Sequence, residues 1–390
     1  MVPLLAHLSW GLRLPRQVHG DELWTLSEVL SKSWDQMFEM VLKRDNHPPL
    51  YYYIAKCWMA LTHGGIPQLR WLSYLFSVLT ICALAWLYRS HRQNEKIFAL
   101  GLLGTNPLLT YYSATVRPYS LVVLLAAVMT ISAFRLKRQK TDGLLSSHNE
   151  ELGVATHNWR QGGNARRSWS LLYYGSALLL ALTHYFGTLY VWVAFVGDLI
   201  TRRIETKPWK GALLLGLTAL WPVAQILFGS VDEQSKSNAW IRVVFLISTV
   251  NNFLAGTFPL LMISKSIPQY TFGVVLALLL LCITLRPLAT SYWNRLSCQP
   301  WSLSSLLAAD EVFWLLVCAG VVAVGCLADL LLPFTTPYYF LVCLPAVAIL
   351  LAKLFSASIR DRFTGTLSFL TILSIAILQI SLSQQRLALP

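Results

Sequence analysis

Along most of the chain apolar residues fall in blocks long enough to cross a bilayer, separated by short polar turns. Spans are predicted at roughly 70–88, 97–113, 118–134, 170–184, 185–200, 211–229, 271–287, 312–331, 338–354 and 364–382, the shorter ones tilted or crossing thinned membrane. Two more apolar stretches, 49–63 and 243–263, have a different texture. In the first, Leu50, Tyr53, Ile54, Cys57, Trp58 and Leu61 recur at helical spacing while Tyr52, Lys56 and His63 fall elsewhere on the wheel. That is the pattern of an aromatic-rich helix lying in the membrane surface. Asp45 or Asn46 is positioned to cap it, and Pro48-Pro49 suit its first turn. A second surface helix is predicted over 22–38, with Leu23, Leu26, Leu30, Trp34 and Met37 on one side.

Basic residues set the orientation. With both odd stretches flat, 19 of the 31 Lys and Arg residues fall in loops on one side, which is then cytoplasmic. Making 243–263 a span would reverse everything after it. The chain therefore divides into an external segment 1–69 carrying two interfacial helices and the first transmembrane helices over 70–134. A basic cytoplasmic loop follows over 135–169, expected to be a flexible linker, and then the remaining helices over 170–390 with an external stretch at 230–270. An external residue 1 needs a span to carry it across, so a further transmembrane helix is expected upstream of this sequence. The fold class is all-α, a polytopic membrane helix bundle.

Composition agrees. Hydrophobic residues make up 55% of the 390 and charged ones 13%, with a mean hydropathy of +0.54, which excludes an ordinary soluble domain. The net charge of +13 would suggest nucleic acid in a soluble chain. Here topology explains it, and no nucleic-acid partner is expected. The seven cysteines form no CxxC pair, and all but Cys298 sit in apolar stretches as small buried hydrophobes. The apolar start, Met1 to Leu8, is too short to span.

The candidate chemistry lies on the external face. Asp21-Glu22 opens the 22–38 helix, where an N-cap and a general base at the water boundary are both consistent with the residue type. Asp45 and His47 sit at the start of the 49–63 helix, where free N–H groups and the helix dipole favour a phosphate, or where an exposed histidine simply follows a capped start. Arg117-Pro118-Tyr119 lies in a tight external turn, and an arginine there either snorkels to headgroups or grips phosphate through its planar fork. His184-Tyr185 and Asp329 are weaker candidates at span ends. No ligand set for a metal can be read, so no metal residues are assigned; a divalent cation beside the carboxylates stays open.

In order, Asp21-Glu22, His47-Pro48-Pro49-Leu50-Tyr51-Tyr52, Arg70, Tyr112-Ser113 with Arg117-Pro118-Tyr119, and His184-Tyr185-Phe186 resemble the bacterial GT-C glycosyltransferases related to protein O-mannosyltransferases and aminoarabinose transferases. The resemblance covers most of 10–200. It implies a multi-pass enzyme that moves a sugar from a polyprenyl-phosphate donor, with inversion, to an acceptor on the non-cytoplasmic side. It implies Asp21 as the catalytic carboxylate with Glu22 beside it, and Asp45, His47, Arg117, Tyr119, His184 and Tyr185 as substrate-binding residues. Membrane lipid is the other expected partner, and the acceptor is unspecified. The chain departs from the family where relatives carry Pro-Arg-Tyr before a late span, since Tyr338 follows Pro337 here. The rival reading is a transporter or flippase of lipid-linked substrates, which ordinarily has ionisable residues near the bilayer midplane, broken helices and repeated halves.

Overall fold

The structure is a computed structural model, and it describes residues 18, 20–45, 47–88, 93–104, 106–151, 159–201, 208–228, 310–331 and 337–358. The predicted spans at 271–287 and 364–382 and the stretches 243–263 and 230–270 lie outside the described residues. Among those described, every regular element is helical, as the apolar periodicity implies.

The elements are α1 (Gly20–Trp24) running into a π-helical turn (Thr25–Leu30), α2 (Trp34–Arg44), α3 (Leu50–Thr62), α4 (Ile66–Leu87), α5 (Gln93–Gly104) and α6 (Pro107–Ser113). Then come α7 (Tyr119–Glu151), α8 (Trp159–Ala181), α9 (Tyr185–Thr201), α10 (Pro208–Phe228) and α11 (Asp310–Leu331), and finally a 3-10 helix (Pro337–Cys343) that leads into α12 (Leu344–Ser358). Helices α4, α7 and α10 are long and apolar enough to cross a membrane, and shorter apolar helices cover Tyr185–Ile200, Val312–Leu327 and Tyr338–Lys353. Helix α7 is the central post: α4 and α8 pack along it, and the 3-10 helix crosses its start. Its buried face is continuous, with Val122, Val123, Ala126, Met129, Ile131 and Ala133 all inside.

Four sequence expectations change. The helix predicted over 22–38 is broken at 31–33, because Ser27 and Ser31 hydroxyls donate to the carbonyls of Leu23 and Ser27, offering the backbone an alternative to the α ladder. Ser33 then starts α2 afresh with a capping box: its hydroxyl accepts the Gln36 N–H at 3.3 Å and Gln36 Oε1 accepts the Ser33 N–H at 3.2 Å. The span predicted at 97–113 is likewise two helices, since Asn106 Oδ1 accepts the Leu109 N–H at 2.9 Å and Pro107 follows it, which caps α6 as a separate element. The expected linker over 135–169 is helical through Glu151 and again from Trp159.

The fourth change concerns α3. Its N-cap position is Pro49, with no side-chain cap, and Asp45 turns its carboxylate to His47. Leu50 instead donates to the Leu182 carbonyl at 3.0 Å, in the turn between α8 and α9. The helix buries Tyr51, Tyr52 and Ala55 in the bundle, while Leu61 on the face predicted to be apolar is 77% exposed. Both flanks of α3 are thus used, one against protein and one outward. Lys56 bridges it to the helix before, donating to the carbonyls of Leu30 and Lys32 and lying 5.1 Å from the Trp34 ring, which stacks on Tyr53. The cysteines also divide: Cys318 and Cys343 are buried, but Cys57 and Cys82 are exposed.

The two ends of the membrane-crossing part of α7, Tyr119–Arg138, differ chemically. At one end are Arg117, Tyr119 and the α1–α3 segments. About 24 Å along the axis, Arg135 lies against Trp86 and Trp169 at 5.3 and 5.9 Å from their ring centres, and Lys353 lies 4.8 Å from the centre of Phe134. Cationic and aromatic side chains together are the usual furniture of a membrane boundary.

The break at Asn106 gives a first prediction. Asn106→Ala removes the α6 cap and should cost about 1 kcal/mol, read as a lower thermal unfolding midpoint of the purified protein; an unchanged midpoint would mean that the cap does not hold α6.

Candidate functional site

The site is assembled by three segments far apart in the chain. Glu22 on α1 is 1% exposed and Arg70, near the start of α4, is 4% exposed. Arg70 donates from Nε to Glu22 Oε1 at 2.9 Å and from Nη2 to Oε2 at 2.5 Å. Glu22 Oε1 also accepts the Val116 N–H at 2.9 Å. A buried charge is tolerable only when paired and hydrogen-bonded, and removing one partner of such a pair commonly costs about 3–5 kcal/mol. This junction therefore ties α1, α4 and the 114–118 turn to one another. The turn is also stapled from within, by the Ser120 hydroxyl donating to Tyr112 O at 3.0 Å and the Arg117 N–H to Thr115 O at 3.0 Å.

Next to the junction lies the Asp45–His47 loop. Asp45 Oδ1 accepts both the backbone N–H and the Nδ1–H of His47, each at 3.0 Å, which fixes the ring and leaves Nε2 as its working atom. The Asp45 backbone is held in turn by Gln225 of α10, whose Nε2 donates to Asp45 O at 2.7 Å and to Val41 O at 3.1 Å. His184 sits in the turn at 182–184, outside either helix, with its ring centre 5.1 Å from that of His47. Its Nδ1 accepts the Phe186 N–H at 3.1 Å, so the ring proton is on Nε2. Gly187 permits this turn, since a Cβ there would meet the Leu180 carbonyl at 2.5 Å.

His47 Nε2 and His184 Nε2 are both buried without a hydrogen-bond partner among the described residues. Desolvation, then the charges of His47 and Arg117, hold His184 well below the ordinary histidine range. The Arg117 charge also reaches the buried phenols of Tyr51 and Tyr52, which burial pushes up so that they stay protonated. Aromatic rings line the other side: Tyr119 lies 5.5 Å from His184 and 4.8 Å from Tyr338, and Tyr339 lies 5.0 Å from His184. His47 and His184 thus lie ring against ring, with two buried nitrogens unpartnered among the described residues and the Arg117 charge within reach. Such a setting suits an anionic oxygen: His184 offers a neutral N–H, Arg117 a permanent charge, and His47 a second ring nitrogen.

Of the residues singled out from the sequence, Glu22, Asp45, His47, Arg117, Tyr119 and His184 come together at this end of the bundle. Tyr185 is the first residue of α9, half-buried beside them. Asp21 is the second residue of α1; its side chain, and that of Asp329, lie outside the described part, as does Asn46 entirely. Arg70, Gln225, Tyr338 and Tyr339 were not singled out as site residues. A lone Gln in an apolar helix and an Arg at the mouth of a span were the available signals. Among the described residues no group of three or more His, Cys, Asp or Glu side chains is arranged to hold a metal ion.

The family model described as dolichyl-phosphate-mannose-protein mannosyltransferase matches residues 46–148, which takes in His47, Arg70, Arg117 and Tyr119. No curated protein matches the chain. Among solved structures, the chain is similar to ArnT from Cupriavidus metallidurans bound to undecaprenyl phosphate, with 15% identity and a TM-score of 0.48, over 91% of this chain and 59% of that one. It is also similar to the apo state of the same protein, with 16% identity and a TM-score of 0.41, over 90% of this chain and 74% of that one. The chain thus spans 59% of the length of the undecaprenyl phosphate-bound ArnT chain.

The histidine geometry gives a pH prediction. His184 binds its proton less readily folded than unfolded, so below its ordinary value of 6.5 the unfolded state takes up more protons and stability falls. The thermal midpoint should therefore drop as pH is lowered through that value. His184→Asn, which can still accept the Phe186 N–H but does not titrate, should flatten the drop. An identical pH slope in the variant would show that His184 is not the group responsible.

Proposed function

We propose that this protein is an integral-membrane glycosyltransferase of the GT-C type, using a polyprenyl-phosphate-linked sugar as donor and working at the non-cytoplasmic face. The observation that carries the reading is the convergence of Arg117, His47 and His184 around two unpartnered buried nitrogens, next to an acidic helix start. The family match over 46–148 lends it support, because that stretch contains two of the three phosphate-directed residues.

A sugar joined to phosphate already has a good leaving group. What the reaction needs is a base to take the acceptor's proton and cationic or N–H donors for the departing phosphate. Asp21 supplies the base, Arg117 the two-pronged phosphate grip, and His47 and His184 further contacts. Tyr119 and Tyr185 close the side of the site. A single base acting in a direct displacement gives inversion at the anomeric carbon, by analogy with single-displacement glycosidases. The acceptor is a nucleophilic hydroxyl or amine presented from the aqueous side.

The test is purified protein incubated with a polyprenyl-phosphate sugar and an envelope extract as the source of acceptor, assayed for released polyprenyl phosphate. Asp21→Asn should abolish release while the protein stays folded and inserted, and Arg117→Lys should raise the donor KM about tenfold, the loss of one arm of a bidentate contact. A fully active Asp21→Asn enzyme removes the base assignment. Passage of the intact lipid-linked sugar across a vesicle, with no cleavage, would make the protein a transporter instead.

A further inference from the structure

Two adjacent carboxylates invite the reading of a catalytic pair, but the setting of Glu22 gives it another role. Glu22 accepts hydrogen bonds on both oxygens, two from Arg70 and one from the Val116 N–H, inside the bundle at 1% exposure. A carboxylate so engaged is poorly suited to collecting a proton from an incoming acceptor. Its partners lie 48 and 94 positions away in sequence, so it is suited to holding distant segments in register.

We infer that Glu22 is a positioning residue that, clamped by Arg70, sets the acidic helix and the arginine turn in one frame; this rests on the reading of Asp21 as base and Arg117 as phosphate ligand. Two consequences follow from geometry. Neighbouring residues on a helix leave it about 100° apart, so turning Glu22 inward fixes the rotation of α1 and with it the register of Asp21. On the other side, Val116 directly precedes Arg117. Anchoring the Val116 N–H at 2.9 Å, with the Arg117 N–H closed onto Thr115 O at 3.0 Å, leaves the arginine backbone little freedom. A base and a phosphate ligand separated by 96 positions thereby share one rigid reference, Arg70 at the mouth of α4. Positional precision of this kind governs rate when a site works by orientation.

The experiment uses full-length protein in lipid nanodiscs, with undecaprenyl phosphate as the binding probe and amide hydrogen exchange as a readout independent of function. Glu22→Gln should speed exchange across 114–118 while leaving α8 unchanged, and should weaken undecaprenyl phosphate binding about tenfold, the scale of one charge-assisted hydrogen bond. Arg70→Lys, which keeps the charge but loses the fork, should do the same more mildly and carries the test if Glu22→Gln does not fold. Asp21→Asn should leave exchange across 114–118 unchanged. Unchanged exchange at 114–118, or unchanged binding, in Glu22→Gln would overturn the inference. A wild-type protein that binds no undecaprenyl phosphate would sink the donor reading instead, and the exchange arm would still decide the role of Glu22.

Discussion

A carboxylate buried in an apolar bundle must be matched by cations and N–H groups, and this requirement at Glu22 organises the site end of the molecule. Its partners come from the mouth of α4 and from the turn before α7. Satisfying them draws the amino-terminal surface segment down onto the bundle. Once α1 is fixed, the rest follows through ordinary contacts. Lys56 joins the end of the π turn to α3, Leu50 joins α3 to the turn carrying His184, and Gln225 joins the end of α2 to α10. Each link satisfies a backbone group that a helix end would otherwise leave open.

The polar groups so gathered are unequal in kind, and the inequality is what makes the arrangement chemically useful. Arg117 is always charged. His184 is kept neutral by desolvation and by the cations near it, with its tautomer set by the Phe186 N–H. His47 is turned by Asp45 so that one nitrogen is committed and the other free to act. Under the proposed function, one permanent cation, one neutral donor and one orientable ring would hold a diester and then meet the extra charge of the monoester that leaves.

Much of this was legible in the chain because the signals were local. Helical spacing and the Pro48-Pro49 start identified α3, and Arg117-Pro118-Tyr119 identified the turn. What escaped were the choices made by tertiary partners. Nothing local says that Glu22 and Arg70, 48 positions apart, will pair rather than face water. Nothing says that Leu50 will find the carbonyl of Leu182 and make a side-chain cap unnecessary. The interruption of the 22–38 helix was foreseeable in part, since Ser27, Ser31 and Ser33 all compete for backbone groups, but the apolar periodicity there outweighed them. The face of α3 was misjudged for a related reason: a tyrosine counts as half-polar on a wheel, yet Tyr51 and Tyr52 are the side chains it buries.

Three segments, around Gly20, His47 and Arg117, meet at one end of the bundle, while Arg135, Arg138 and Lys353 mark the other. The most direct measurement is labelling of single cysteines, in a cysteine-free background, by a small membrane-impermeant thiol reagent applied to intact cells. Gly20→Cys and Arg117→Cys should react from outside, and Arg138→Cys only after the membrane is opened. Labelling of Gly20→Cys and Arg117→Cys from opposite sides would contradict the account, because no site could then join them.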